Sequence, residues 1–220
     1  YLAFPLLTGV VPKERRADVL QSLAHDILVT RDGHLNTGMH GTYFLMRQLM
    51  EDNRDDLLFS ITNQTTYPGW GYMLEQGATT VWENWLAGSH IHDTLISIGA
   101  WFNEGVGGIR WDENAPGFRN AVIEPAVVGD LTWARAKYAS MYGDIVSDWK
   151  IENGDLQLEV TVPPNSTADV YIPYAEGMGD ILLDGQPLRD MEFVTVSGHD
   201  GRMVASVASG TYRFTVEDYR

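Results

Sequence analysis

The hydrophobic positions of this chain keep two different periods. After Pro12, which suits a first helical turn, Ala17, Leu20, Leu23, Ala24, Ile27 and Leu28 recur at helical spacing until Asp32-Gly33 closes the segment. A glycine-bearing connection, His34 to Thr42, follows, and Thr42 is placed to cap a second helix through Leu45 and Leu49. Asp52 to Ile61 predicts a third, short helix with Leu57, Leu58 and Ile61 on one side. Thr79 or Thr80 is positioned to cap a helix carrying Trp82, Glu83 and Trp85. Ile91, Leu95, Ile98 and Phe102 then step by 4, 3 and 4, the spacing of an amphipathic helix that Gly105, Gly107 and Gly108 end.

Near Trp111 the pattern changes. Leu156, Leu158, Val160 and Val162 face one way and Gln157, Glu159 and Thr161 the other, following the turn Asn153-Gly154. Asp169–Ile172, Ile181–Leu183, Phe193–Val196, Met203–Val207 and Tyr212–Val216 repeat the strand signature. Asn165, Gly177, Gly179, Asp184-Gly185, Gly198 and Gly210 mark turns between them. The pattern predicts an α-then-β chain: helices over residues 1–112, then an antiparallel β-sandwich over 113–220, with the boundary around Asp112–Phe118.

Composition narrows the partners. With a formal net charge of -15, the 220 residues lack the clustered Lys and Arg that nucleic acid or an anionic membrane requires. The absence of cysteine excludes disulfides, thiolate catalysis and Cys-ligated zinc without deciding the compartment. The opening YLAFPLLTGVV is apolar but short and has no basic leader, and there is no initiating methionine, so the chain reads as part of a longer polypeptide.

Chemistry concentrates in one stretch, Thr65 to His92. It holds Trp70, Trp82 and Trp85, the carboxylates Glu75 and Glu83, and the histidines His90 and His92 within 28 residues. Pro68 and glycines at 69, 71, 77 and 88 interrupt it, so it cannot be one long helix. Broken backbone, wide aromatic faces and carboxylates suit a sugar, and carboxylates beside aromatics serve acid/base chemistry on glycosidic bonds. The competing reading is a helix junction filled with aromatics.

Two carboxylates are candidates for a general base. Glu83 lies between Trp82 and Trp85, whereas Glu75 precedes Gln76-Gly77 and could instead cap or orient the next segment. His92 opens the amphipathic pattern, where an imidazole can hydrogen-bond a hydroxyl or serve as a cap. His34, His40, His90 and His92 have neither HxxxH nor HExxH spacing, and no metal is assigned. Phosphate-cradling GxGxxG and GxxxxGK[ST] loops and the GxSxG elbow are absent, so no nucleotide cofactor or serine-hydrolase reading is supported. Asp144, Asp148, Asp180 and Asp184 lie by predicted turns and carry no assigned chemistry.

Several motifs go beyond spacing. GHLNTGMHGT (Gly33–Thr42), QTTYPGW (Gln64–Trp70), GYMLEQGATTVWENW (Gly71–Trp85), PGFRNAVIEP (Pro116–Pro125) and LTWARAKYASMYGDIVSDWK (Leu131–Lys150) resemble bacterial α-L-rhamnosidases, in family order. The resemblance implies the C-terminal part of an (α/α)6-barrel catalytic domain, a helical half-toroid, followed by a C-terminal β-sandwich. It also implies hydrolysis of terminal α-L-rhamnosides with inversion, by one glutamic acid as general acid and one glutamate as base. The family base lies in a TTxWE motif, similar to Thr79–Glu83 here, so the role passes to Glu83. A family histidine with a tryptophan nine residues on is similar to His92 and Trp101. Trp70, Trp82 and Trp85 are the candidate sugar-contacting aromatics.

Inversion needs the two carboxyl groups roughly 6.5–9.5 Å apart. The family's acid lies in a DxxxRxERxxW segment, which is absent from these 220 residues, and the Trp85–His92 connection is shorter than the family's. The expectation is therefore an enzyme part that needs the upstream portion of its polypeptide, is inactive alone, and requires no cofactor. The alternatives are a non-catalytic carbohydrate-binding or structural module, or a related barrel hydrolase acting on another sugar.

Overall fold

The computed structural model describes residues 2–93, 95–175, 177–191, 196–199 and 201–220. The chain divides into two compact units, Tyr1–Trp101 and Phe102–Arg220, the first helical and the second built of sheets. The division falls upstream of the change in hydrophobic period near Trp111.

The first unit contains α1 (Ala3–Leu7), α2 (Lys13–His25), α3 (Met39–Glu51), α4 (Asp55–Thr62), α5 (Trp70–Glu75) and α6 (Ser97–Trp101). Pro12 stands just before α2, and a π-turn, Asp26–Thr30, carries the chain to Asp32 and Gly33, both at positive φ (52° and 78°). The apolar set predicted here is only partly buried: Leu23 and Ile27 are inside while Leu28 is exposed. The most deeply buried helix is α3, with Leu45, Met46 and Leu49 at 4%, 1% and 0% exposure, and Leu57, Leu58 and Ile61 of α4 close the same core. Phe4 of α1 meets Phe44 of α3 edge to face at 4.8 Å. Asp52, just past α3, receives Arg16 at 2.5 Å and the Gln48 amide N–H, whereas Gln48 Oε1 is buried without a hydrogen-bond partner among the described residues. Among the described residues no helix is long and apolar enough to cross a membrane.

Four helical expectations change. Thr42 does not cap α3, which starts three residues earlier; its hydroxyl donates back to Gly38 O at 2.9 Å from inside the helix. Asp52 terminates α3, and the next helix begins at Asp55. The helix expected to carry Trp82, Glu83 and Trp85 is absent: residues 79–93 form a folded-back loop. Its Glu83 N–H donates to Ser89 O (2.9 Å) and its His92 N–H to Val81 O (3.1 Å), partners that a helix would not supply. His92 accordingly precedes a loop rather than opening a helix, since α6 begins at Ser97. Ile91 and Phe102, expected on one buried face, are 81% and 51% exposed.

The second unit opens with a π-turn, Phe102–Val106, and then forms β1 (Ile109–Trp111), β2 (Asn120–Ile123), β3 (Trp133–Ser140) and β4 (Gly143–Glu152). These are followed by β5 (Asp155–Val162), β6 (Thr167–Pro173), β7 (Ile181–Leu183), β8 (Gln186–Pro187), β9 (Val196–His199), β10 (Arg202–Val207) and β11 (Gly210–Val216). Among the described residues one sheet has the order β1-β2-β6-β10-β9 and the other β3-β4-β5-β11-β7-β8. The expected antiparallel pairing has one departure: β2 runs parallel to β6, with Asn120 opposite Thr167 and Ile123 opposite Val170. Alternation in β5 is complete, with Leu156, Leu158, Val160 and Val162 all at or below 3% exposure. Asn153 and Gly154, both at positive φ, turn β4 into β5.

Gly198 lies inside β9 and not at a turn. Of the strand expected over Phe193–Val196, residues 193–195 fall outside the described residues and Val196 opens β9. Trp149 of β4 is fully buried and donates its indole N–H to Val106 O at 2.9 Å. Glu124, just past β2, joins Arg110 of β1 and Arg202 of β10 (3.1 Å to the latter), with its side chain 9% exposed.

Candidate active site in the helical unit

Glu83 sits at the start of a narrow loop closed by its own main chain. Besides the Glu83 N–H to Ser89 O bond, the Ser89 N–H donates to Glu83 Oε2 at 3.0 Å, and Oε1 has no hydrogen bond among the described residues. Asn84 and Ala87 bridge across the tip, where Ala87 and Gly88 take positive φ (91° and 63°), and the Asn84 side chain accepts the Leu86 N–H at 2.8 Å. The Thr80 hydroxyl donates to the His90 carbonyl lower in the loop. Among the described residues no cation pairs with Glu83, so its charge is not spent in a salt bridge. Glu75 is the exposed last residue of α5, its carboxylate without a hydrogen bond or ion pair among the described residues.

The three tryptophans are each 7% exposed. Trp70 and Trp85 meet edge to face at 5.3 Å; the Trp70 indole N–H donates to Leu95 O (2.9 Å) and that of Trp85 to Thr37 O (3.0 Å). Trp82 stacks on His90 at 5.2 Å and 20°. The tryptophans therefore tie the Glu83 loop to the 31–38 loop and to the approach of α6. His92 has its main-chain N–H on Val81 O, and its Nδ1 lies 3.6 Å from Asp93 Oδ1. Trp101, nine residues on, is buried and donates to Asp55 Oδ1 at 2.8 Å. Among the described residues, no three histidine or acidic side chains gather as metal ligands.

A cleft of about 540 Å³ opens between the 31–38 loop and Tyr67-Pro68, with Trp85 among its lining residues. Arg31, His34 and Asn36 supply its polar border, while Glu75, Glu83 and His92 do not line it. His34 is locked in orientation: its Nδ1–H points at the Arg31 and Asp32 carbonyls (3.0 Å each) and its Nε2 accepts from the Thr66 hydroxyl at 2.7 Å. Sequence reading treated His34–Thr42 as a connection and gave Arg31, Asn36 and Tyr67 no role. Asn36 and Tyr67 do fall within the motifs Gly33–Thr42 and Gln64–Trp70, but no spacing in them announces a cleft, because its wall depends on Trp85 arriving from 48 positions beyond Thr37.

The bacterial alpha-L-rhamnosidase 6 hairpin glycosidase domain matches residues 1–106, and the bacterial alpha-L-rhamnosidase C-terminal domain matches residues 108–180. An alpha-L-rhamnosidase of Streptomyces avermitilis is 33% identical over 215 residues, covering 90% of this chain and 20% of the relative. One from Formosa agariphila is 33% identical over 229 residues, covering 97% and 24%. Among solved structures, the alpha-L-rhamnosidase from Dictyoglumus thermophilum superposes with a TM-score of 0.88 at 32% identity, over 98% of this chain and 25% of that one. The S. avermitilis enzyme complexed with L-rhamnose gives 0.82 at 32% identity, over 98% and 21%. The chain thus spans about a fifth to a quarter of the length of these relatives. With both domains matched in order and the fold shared along nearly its whole length, the chain belongs to the bacterial α-L-rhamnosidase family.

Proposed function

We propose that this chain supplies the water-activating side of an inverting α-L-rhamnosidase site, with Glu83 as general base. The observation that carries this reading is the closed loop that fixes Glu83 Oε2 on the Ser89 N–H and pairs the carboxylate with no cation among the described residues. Water held by the other oxygen attacks the anomeric carbon. Its proton passes to Glu83 while a general acid protonates the departing glycosidic oxygen, so one C–O bond forms as the other breaks. His92, Trp70, Trp82 and Trp85 shape the pocket for the sugar. The helical unit is in this reading part of an (α/α)6 barrel completed by polypeptide outside these residues, which also brings the acid. The isolated 220 residues are inactive, and the substrate is a terminal α-L-rhamnoside.

Glu83→Gln in the full-length polypeptide tests the assignment, because the amide keeps the shape and can still accept the Ser89 N–H but cannot take a proton. Expected is a fall in kcat on a chromogenic α-L-rhamnoside of about 10²–10⁴-fold with an unchanged circular dichroism spectrum. Near-normal turnover moves the role to Glu75 or elsewhere. Robust hydrolysis by the isolated chain overturns the dependence on upstream polypeptide, and a first-formed product with retained anomeric configuration overturns inversion.

A further inference from the structure

We propose that the sheet unit carries a sugar-binding site of its own, at a mouth between its two sheets, and that this site takes a terminal 6-deoxyhexose such as a rhamnosyl unit. The choice of sugar rests on the rhamnoside reading given above; the site itself does not. A cavity of about 160 Å³ opens there. That is close to the roughly 150 Å³ that holds one benzene ring, so the room is for a single six-membered ring. Its lining comes from β7, β8 and the turn that follows on one side, and from Met203 of β10 and Tyr174, just past β6, on the other. The mouth exists because the core is not closed at this end. Met203 pairs with Ile172 and shares its inward face with Ala205 and Val207, all three of which are buried, yet Met203 itself is partly exposed.

Floor and rim differ in polarity. Ile181 and Leu188, 8% and 2% exposed, join Pro187 and Met203 in an apolar floor. The rim holds Tyr174 together with Asp180 and Arg189, which pair at 3.0 Å through Oδ2 and Nη2. Among the described residues, Asp180 Oδ1, the remaining Arg189 N–H groups and the Tyr174 hydroxyl have no hydrogen-bond partner. A carboxylate and a guanidinium that offset each other's charge suit neutral hydroxyls better than an ion, and side by side they offer an acceptor and donors to adjacent hydroxyls. A 6-deoxyhexose matches both halves, since it bears one methyl group on a ring otherwise set with hydroxyls: the methyl enters the floor and the hydroxyls meet the rim. The rim is fixed before any ligand arrives. The Gly179 N–H donates to Glu217 O (2.8 Å), the Glu217 N–H to Asp180 O (3.1 Å) and the Tyr174 N–H to Gly201 O (2.9 Å).

Asp180→Ala and Arg189→Ala, both at exposed positions, test this in the full-length polypeptide by calorimetric titration with methyl α-L-rhamnoside. Expected is a binding event that each variant weakens roughly 5–30-fold, while 4-nitrophenyl α-L-rhamnoside is hydrolysed within about twofold of the parent rate. Methyl α-L-mannoside carries a hydroxymethyl group in place of the methyl. It should bind the same site roughly 5–30-fold more weakly, because its extra hydroxyl meets the apolar floor. Titrations that are the same for the parent and both variants overturn the proposal. Equal affinity for the two glycosides overturns the placement of the methyl group in the floor, and with it the choice of sugar. A fall in aryl rhamnoside hydrolysis that matches the fall in binding assigns the event to the reacting centre and overturns the proposal too. The Glu83 reading is tested apart from this, by turnover of Glu83→Gln, so either can fail without the other.

Discussion

Glu83 and Ser89 are joined twice, by the Glu83 N–H on the Ser89 carbonyl (2.9 Å) and by the Ser89 N–H on Glu83 Oε2 (3.0 Å). The second bond places the carboxylate, and the first keeps the two strands of the loop close enough for the second to form. Gly88 lies between them at φ +63°, where a Cβ would stand 2.6 Å from Asn84 Nδ2 and 3.0 Å from Glu83 Oε2. Gly88→Ala therefore pushes on the carboxylate itself. The expected outcome is a kcat lower by on the order of 10–100-fold with a melting temperature near that of the parent, measured by steady-state kinetics and thermal melts. Parental kcat would mean that the orientation of Glu83 is not set by this loop.

Glu124 is the shared partner of Arg110 and Arg202, and its side chain is 9% exposed. Glu124→Gln leaves two guanidinium groups facing each other with their carboxylate gone. Guanidinium denaturation should show a loss of about 3 kcal/mol, partly recovered when Arg110→Met is added. A loss under about 1 kcal/mol would show that water or rearrangement satisfies both arginines.

Trp149→Phe removes the indole N–H from Val106 O in a fully buried setting. The stranded carbonyl and the smaller ring together should cost about 1–3 kcal/mol in the same denaturation experiment. Because the Phe ring retains most of the packing, a much larger loss would point to collapse of the surrounding strands.

Arg54 grips Asp56 with two hydrogen bonds, 2.8 and 2.7 Å, at the start of α4. The hydrogen bond from Arg54 holds the Asp56 carboxyl below its ordinary range, and burial only partly opposes this. A carboxyl with a folded pKa below its unfolded value of 3.8 contributes stability above that pH and loses it as pH falls through the folded value. Arg54→Met should therefore destabilise by no more than about 1 kcal/mol at neutral pH, since the pair is half exposed, and the difference should vanish below the acid transition. A gap that persists unchanged at pH 2 would assign the effect to packing.

The sheet half of the fold was the more legible from sequence. In Leu156–Val162 and Tyr212–Val216 every second side chain is apolar because one face is buried, and the structure places strands there. The Glu83 loop was not legible. Thr79 and Thr80 before Trp82 carry a helix-start signal, but that signal is local, and the loop is held by contacts the local sequence does not announce. Trp85 reaches Thr37, and Trp70 takes the Leu95 carbonyl. Likewise Ile91 and Phe102 have helical spacing but share no buried face. The residues of the candidate site could be named from a motif, whereas their arrangement, and the cleft beside them, depend on long-range packing.

The parallel pairing of β2 with β6 has a consequence for how the second unit can assemble. A parallel pair cannot close through a hairpin, and here residues 124–166, which include β3, β4 and β5, lie between the two partners. The β3–β5 meander can form early from neighbouring segments, but β2 must wait for the chain to return. β6 in turn is completed by β10, and β5 by β11, both from the last part of the sequence. Cutting the chain after β9 would strip one neighbour from β6 and one from β5 at once, so the unit should be acquired and lost as a single cooperative block.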